Sequence, residues 1–141
     1  MAVVARFLID SSASARIRQP VVRDRVVPLI TAGLVATCAA LDLEALSSAR
    51  SGQEYREVRA DRRSAYEYLP TEDADWDRAI QVQARLAERG AWRSVGLADL
   101  VVSAVAERER VTVLHYDADF ETVAGVTGQS VEWVAPRGSL P

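Results

Sequence analysis

Five acids occupy positions where a carboxylate is costly unless a cation compensates it: Asp10 closing FLID, Glu44 within LDLEAL, Asp99 within GLADLVVSAVA, and Asp117 and Asp119 within VLHYDADF. Each lies inside an apolar run or closes one. A carboxylate buried without a partner is unfavourable, and several brought together hold their protons more tightly unless positive charge sits among them. Donors that offer only oxygen select a hard divalent ion, Mg2+ or Mn2+, over zinc. The pattern predicts such an ion and, with it, a metal-dependent enzyme.

The elements that must position these acids follow from the periodicity. VVARFLI (3–9) is a β-rich run, and the Asp-Ser-Ser after it is a helix-start signal, because those side chains accept hydrogen bonds from free backbone amides. Pro20 opens a second helix that Gly33 ends, LVATC (34–38) is a strand, and 39–52 is a helix with Gly52 past its end. A polar helix over 53–68 stops before Pro70, a further helix covers 72–89, and Gly90 closes it. Residues 95–109 are apolar nearly all round, as in a buried helix. VTVLHY (111–116) is a strand, a short helix begins near Asp119, and SVEWVA (130–135) supplies a last strand. Short strands that are apolar on both faces and alternate with helices predict a three-layer α/β/α sandwich around a mainly parallel sheet of four to five strands.

In such a sheet, sites form beyond the carboxyl ends of the strands. Asp10 and Asp117 each end a strand at that edge. Asp99 begins the helix that runs back to feed Asp117's strand, so it reaches the same level. Glu44 lies about four residues into its helix, roughly 6 Å from the edge at ~1.5 Å per residue. One topology thus brings four acids to one rim. Taken singly, each has a simpler role. Asp10 and Asp119 suit helix caps, Asp99 suits the positive end of a helix dipole, and Glu44 could pair with an arginine. Their joint arrangement carries the metal reading, with Asp119 left open between cap and ligand.

Composition narrows the alternatives. The 141 residues have the size of one domain with a single core. A formal charge of -3 gives no general attraction to polyanions, so nucleic acid would need a local basic patch. Every basic residue is arginine, which removes Schiff-base chemistry and the receiver and haloacid-dehalogenase sites that place a lysine beside their aspartates. The lone Cys38 allows no internal disulfide, and no apolar run is long enough for a signal peptide or a membrane span. The expectation is a soluble cytoplasmic protein.

LIDSSA, DLEALSSAR, ADLVVSAVAE and LHYDADFE, in this order and spanning nearly the whole chain, resemble the PIN-domain ribonucleases, and more narrowly the VapC toxins of bacterial type II toxin–antitoxin modules. The resemblance implies a single PIN domain over 1–141 and an endoribonuclease that cleaves RNA phosphodiester bonds with a metal-activated water. It implies Asp10, Glu44, Asp99 and Asp117 as the acidic quartet, Asp119 as a nearby fifth ligand, and Ser11 and Ser12 as supports for a carboxylate or a bound water. It further implies a VapB-type antitoxin, a homodimer, and a toxin–antitoxin hetero-oligomer. Ser47 stands where the family commonly has tyrosine, which bears on packing or RNA contact and leaves the acids untouched. The alternative is a catalytically silent PIN-fold protein acting through antitoxin or RNA binding.

Arg56, Arg59 and Arg63, spaced three and four residues apart, form a basic stripe that could hold RNA phosphates, an acidic partner tail or only water. Arg16 and Arg18 lie near Asp10 and are the other candidate RNA contacts. VVRDRVVPLI offers apolar contact surface. Cys38 and His115 each end a strand, where packing is the simpler explanation than a nucleophilic pair. Trp76, Trp92 and Trp133 read as core or interface rings.

Overall fold

The sheet is built from strands of only two to four residues, which can be stable only with helices covering both faces. In the computed structural model, which describes residues 2–141, β1 (Phe7–Ile9), β2 (Val35–Thr37), β3 (Glu67–Tyr68), β4 (Thr112–His115) and β5 (Val131–Trp133) lie in the order β3-β2-β1-β4-β5. Every pairing is parallel, with Phe7 opposite Val35 and Thr112, and Leu114 opposite Glu132. The helices are α1 (Ser11–Ser14), α2 (Pro20–Thr31), α3 (Ala39–Ser47), α4 (Gly52–Ala65), α5 (Asp73–Glu88), α6 (Leu97–Glu109) and α7 (Asp119–Thr127). This is the α/β sandwich expected from the alternating pattern, and all five strands end at one edge.

Local chemistry explains the boundaries. Pro20 starts α2, where its missing N–H is no loss, and Gly33 follows that helix at φ +73°, a left-handed conformation that a Cβ disfavours. Ser51 caps α4 by accepting from the Glu54 amide, so Gly52 opens that helix; the expected helix over 39–52 ends at Ser47 instead. The predicted helix over 53–68 is corrected at its end, since Glu67 and Tyr68 pair with Ala36 and Thr37 as an edge strand. Glu67 Oε1 also accepts from the amides of Val4 and Ala5 at 3.0 and 2.9 Å, which ties the chain's start to that edge. The first strand is therefore shorter than 3–9: Val4 and Ala5 are held by the Glu67 side chain, while Arg6 is held by backbone bonds to Leu34 O and from the Thr112 amide.

One core face joins Leu8, Ala36 and Val113 to Leu41, Val102, Val105 and Phe120, while Ile9, Val35 and Leu114 pack on Val22 and Val26 from the other side. Seven consecutive residues of α6, Leu100 to Ala106, are buried, so α6 is sealed between the sheet and α5 and α7. Buried Asp75 on α5 is matched by Arg108 of α6 through two contacts, at 2.9 and 3.1 Å. The chain thus compensates a buried carboxylate with arginine where structure alone is at stake. No helix among the described residues is long and apolar enough to cross a membrane.

Candidate active site

Asp10 follows β1 directly, and its amide continues the ladder by donating to Leu114 O at 2.9 Å. It is only 4% exposed. Its Oδ2 accepts from the Ser12 amide at 2.9 Å and from the Ser12 hydroxyl at 2.6 Å, so the cap expected of Asp10 is present. The same hydroxyl accepts from the Tyr116 amide at 2.8 Å, fastening the end of β1 to the end of β4. Of the two serines expected to support a carboxylate, Ser12 bonds Asp10, whereas the Ser11 side chain makes no comparable bond among the described residues.

Asp117 leaves β4 through a tight turn in which its Oδ1 accepts from the Asp119 amide at 2.9 Å. Asp119, expected either to cap α7 or to bind a metal, is the first residue of that helix and does not cap it. Asp99 stands at the third position of α6. One carboxylate oxygen each from Asp99, Asp117 and Asp119 lie within 4.8 Å of one another. Asp10 and Glu44 stand outside this tightest trio. Glu44 is exposed on α3, yet its charge and that of Asp10 still bear on Asp99.

The electrostatics follow from this crowding. Burial first, then the charges of Asp10, Asp117, Asp119 and Glu44, push the Asp99 carboxyl up to about 7. Asp119 is raised in the same direction by burial and by Asp117. No arginine among the described residues forms an ion pair with any of the five acids, in contrast to Asp42, Asp75 and Glu107, which are paired with Arg62, Arg108 and Arg78. An all-oxygen, uncompensated, partly dried cluster fits a hard divalent cation.

His115 has a part here that the sequence reading missed. It is fully buried at the end of β4, between the rings of Phe120 and Trp133 at 5.3 and 4.8 Å. The Asp117 amide donates to its Nδ1 at 3.1 Å, and its Nε2 meets Glu121 Oε1 at 3.1 Å. An accepting Nδ1 requires the tautomer protonated at Nε2, and burial, which outweighs Glu121, lowers the ring's pKa and keeps it neutral. The only signal in the sequence is the six-residue spacing of His115 and Glu121. Cys38 is excluded as a nucleophile: it is fully buried, and that burial raises its thiol to about 11.

The basic candidates separate. Arg16 bonds Ser12 O at 2.7 Å and Pro141 O at 3.1 Å and covers the Tyr116 ring at 4.6 Å, so its guanidinium is engaged in bracing these segments. Arg18 is exposed without such contacts. On α4, Arg59 and Arg63 face the groove next to α3, and Arg56 does not line it. Trp76 and Trp92, expected in a core or an interface, are 48% and 41% exposed.

This arrangement, acids gathered beyond the carboxyl edge of a five-stranded parallel sheet, defines a class. The PIN domain family profile matches residues 7–126, and the chain belongs to that family. It is similar to "Ribonuclease VapC21" of Mycobacterium tuberculosis (strain ATCC 25618 / H37Rv), 44% identical over 137 residues that cover 97% of this chain and 99% of that protein. "Ribonuclease VapC51" of the same strain is 37% identical over 135 residues, covering 96% and 97% of the two chains. Among solved structures, the DNA-bound VapBC from Salmonella typhimurium superposes with a TM-score of 0.73 at 18% identity, over 93% of this chain and 99% of that one. VapBC2 from Rickettsia felis gives 0.73 at 12%, over 89% and 96%. Likeness at such identities speaks for the fold.

Proposed function

We propose that the protein is the toxin of a VapBC-type toxin–antitoxin module and acts as a Mg2+- or Mn2+-dependent endoribonuclease. The observation that carries this reading is the trio of Asp99, Asp117 and Asp119 oxygens within 4.8 Å, with Asp99 lifted to about 7 and no arginine to offset it. The names of the full-length relatives, ribonucleases of the VapC type, support the reaction class. Asp99, Asp117 and Asp119 would hold the ion, with Asp10 and Glu44 completing the acidic rim. A divalent ion there would lower the pKa of a bound water and offset charge on the phosphodiester.

The chain's own residues supply alignment. Ser12 fixes the Asp10 carboxylate through Oδ2 while locking β1 to β4. His115 holds the Asp117 amide, and the Asp117 carboxylate in turn orders the start of α7. Asp99, with a proton affinity near neutrality when unliganded, gives up its proton as a cation enters, so binding is coupled to pH. An antitoxin of the VapB type is the proposed partner, with a basic side chain reaching the acids. Exposed Trp76, Ile80 and Leu97, around an apolar groove of about 250 Å3 between α5 and α6, offer surface for the proposed homodimer.

The test is direct. Purified protein is incubated with cellular RNA in Mn2+ or in EDTA, beside Asp10→Ala and Asp99→Asn. Cutting that needs the ion and disappears in both variants is expected. Intact RNA under all conditions would favour the silent binding protein, and identical fragments from all three proteins would point to a contaminating nuclease.

A further inference from the structure

A cavity of about 530 Å3 lies between α3 and α4, a volume in the range that holds a small ligand. Its floor is a closed polar network. Arg62 Nε donates to Asp42 Oδ1 at 2.9 Å and a terminal Arg62 nitrogen donates to Thr37 Oγ1 at 3.0 Å, while Thr37 Oγ1 donates to the same Asp42 oxygen at 2.8 Å. Asp42 is the only acid in the lining among the described residues, and this pairing neutralises it. Arg59 and Arg63 also line the cavity and form no ion pair or hydrogen bond among the described residues. The cavity therefore presents two free guanidiniums, with the rings of Tyr55 and Tyr68, 39% and 55% exposed, at its walls.

Helix α3 stands between this cavity and the acids. Asp42, Leu43 and Leu46 face the cavity, whereas Glu44 projects from the other side of the helix. The two sites are thus separated by roughly one helix width, about 10 Å. Both open at the same sheet edge, since Thr37 and Tyr68 end β2 and β3 as Asp10 and Asp117 follow β1 and β4. Free positive charge beside exposed aromatic rings suits a ligand that is both anionic and flat.

We propose that this cavity is a subsite for one unpaired nucleotide of the RNA strand, its base against Tyr55 and Tyr68 and its flanking phosphates at Arg59 and Arg63. The proposal rests on the ribonuclease reading and adds where the strand is gripped beside the acids. Stacking tolerates any base, so the subsite would demand an unpaired strand more than a particular sequence.

The experiment measures anisotropy of a fluorescein-labelled unstructured RNA of about a dozen nucleotides with the full chain in EDTA, so that binding is read without cutting. Arg59→Gln combined with Arg63→Gln should weaken binding about tenfold and flatten the slope of log affinity against log salt by about 1.4, two phosphates at ~0.7 each. Tyr55→Ala should weaken binding by about tenfold while leaving that slope in place. Leu43→Trp, which fills the cavity from α3 without altering charge, should reproduce the loss. Wild-type protein without RNA affinity, or variants with wild-type affinity and slope, would overturn the proposal; the latter is also the outcome expected of a pocket built for an antitoxin peptide. Because no ion is present, failure here leaves the Mn2+-dependent cleavage test standing, and failure of cleavage leaves this one standing.

Discussion

Replacing Asp99 with asparagine should make the metal-free protein more stable at alkaline pH while abolishing its cleavage. The Asp99 carboxyl rises from an ordinary 3.8 to about 7 on folding. Its ionised form is therefore disfavoured in the folded state, and the folded chain binds more protons than the unfolded one between those values. Stability must fall as pH rises from ~4 to ~7, and the full penalty is present above ~7. Three units at ~1.4 kcal/mol each would give about 4 kcal/mol for a dry group. Asp99 is only partly buried, so solvent screening reduces this to about 1–2 kcal/mol. Urea and thermal unfolding in EDTA at pH 8 should place Asp99→Asn above wild type by that amount, roughly 3–8 °C. The difference should shrink towards pH 4, and Mn2+ should stabilise wild type alone. A variant equal to or weaker than wild type at pH 8 would refute the crowding argument.

Cleavage in limiting Mn2+ should rise with pH through about 7, as the Asp99 proton leaves, and the rise should move to lower pH as Mn2+ is increased; a profile insensitive to Mn2+ would oppose this. Ser12→Ala removes the hydroxyl shared by Asp10 and Tyr116 and should lower unfolding stability by about 1–2 kcal/mol, together with a drop in cleavage rate. His115→Phe keeps an aromatic ring at the site but leaves the Asp117 amide without its acceptor. Mn2+ affinity measured by equilibrium dialysis should fall about tenfold or more. Arg62→Ala leaves Asp42 and the Thr37 hydroxyl without their cation and should cost about 1–3 kcal/mol in urea unfolding.

Much of the frame was legible because strand ends and buried helices leave strong local marks. Asp10 after FLI and Asp117 after VLHY lie at one edge once their strands are parallel, and the apolar α6 could belong only in the interior. Asp119 could not be resolved in advance, since a cap and a ligand ask for the same residue type at the same place. Strand β3 escaped because REVRADRRSAYEY reads as helix, and only pairing with Ala36 and Thr37 turns Glu67 and Tyr68 into an edge strand. The contact of His115 with the Asp117 amide is a consequence of turn geometry, to which side-chain type alone is blind. Likewise, the arginine stripe was visible, but its division was not. Arg62 closes on Asp42 while Arg59 and Arg63 form no ion pair among the described residues, because of how α4 lies against α3.

The central claim is that the acids converge in order to hold a cation. Crystals soaked in Mn2+ and measured at a wavelength where manganese scatters anomalously test it without reference to activity. A peak about 2 Å from carboxylate oxygens of Asp99, Asp117 and Asp119 is predicted, absent in Asp99→Asn. No peak there in the wild-type protein, or an equal peak in the variant, would contradict the account.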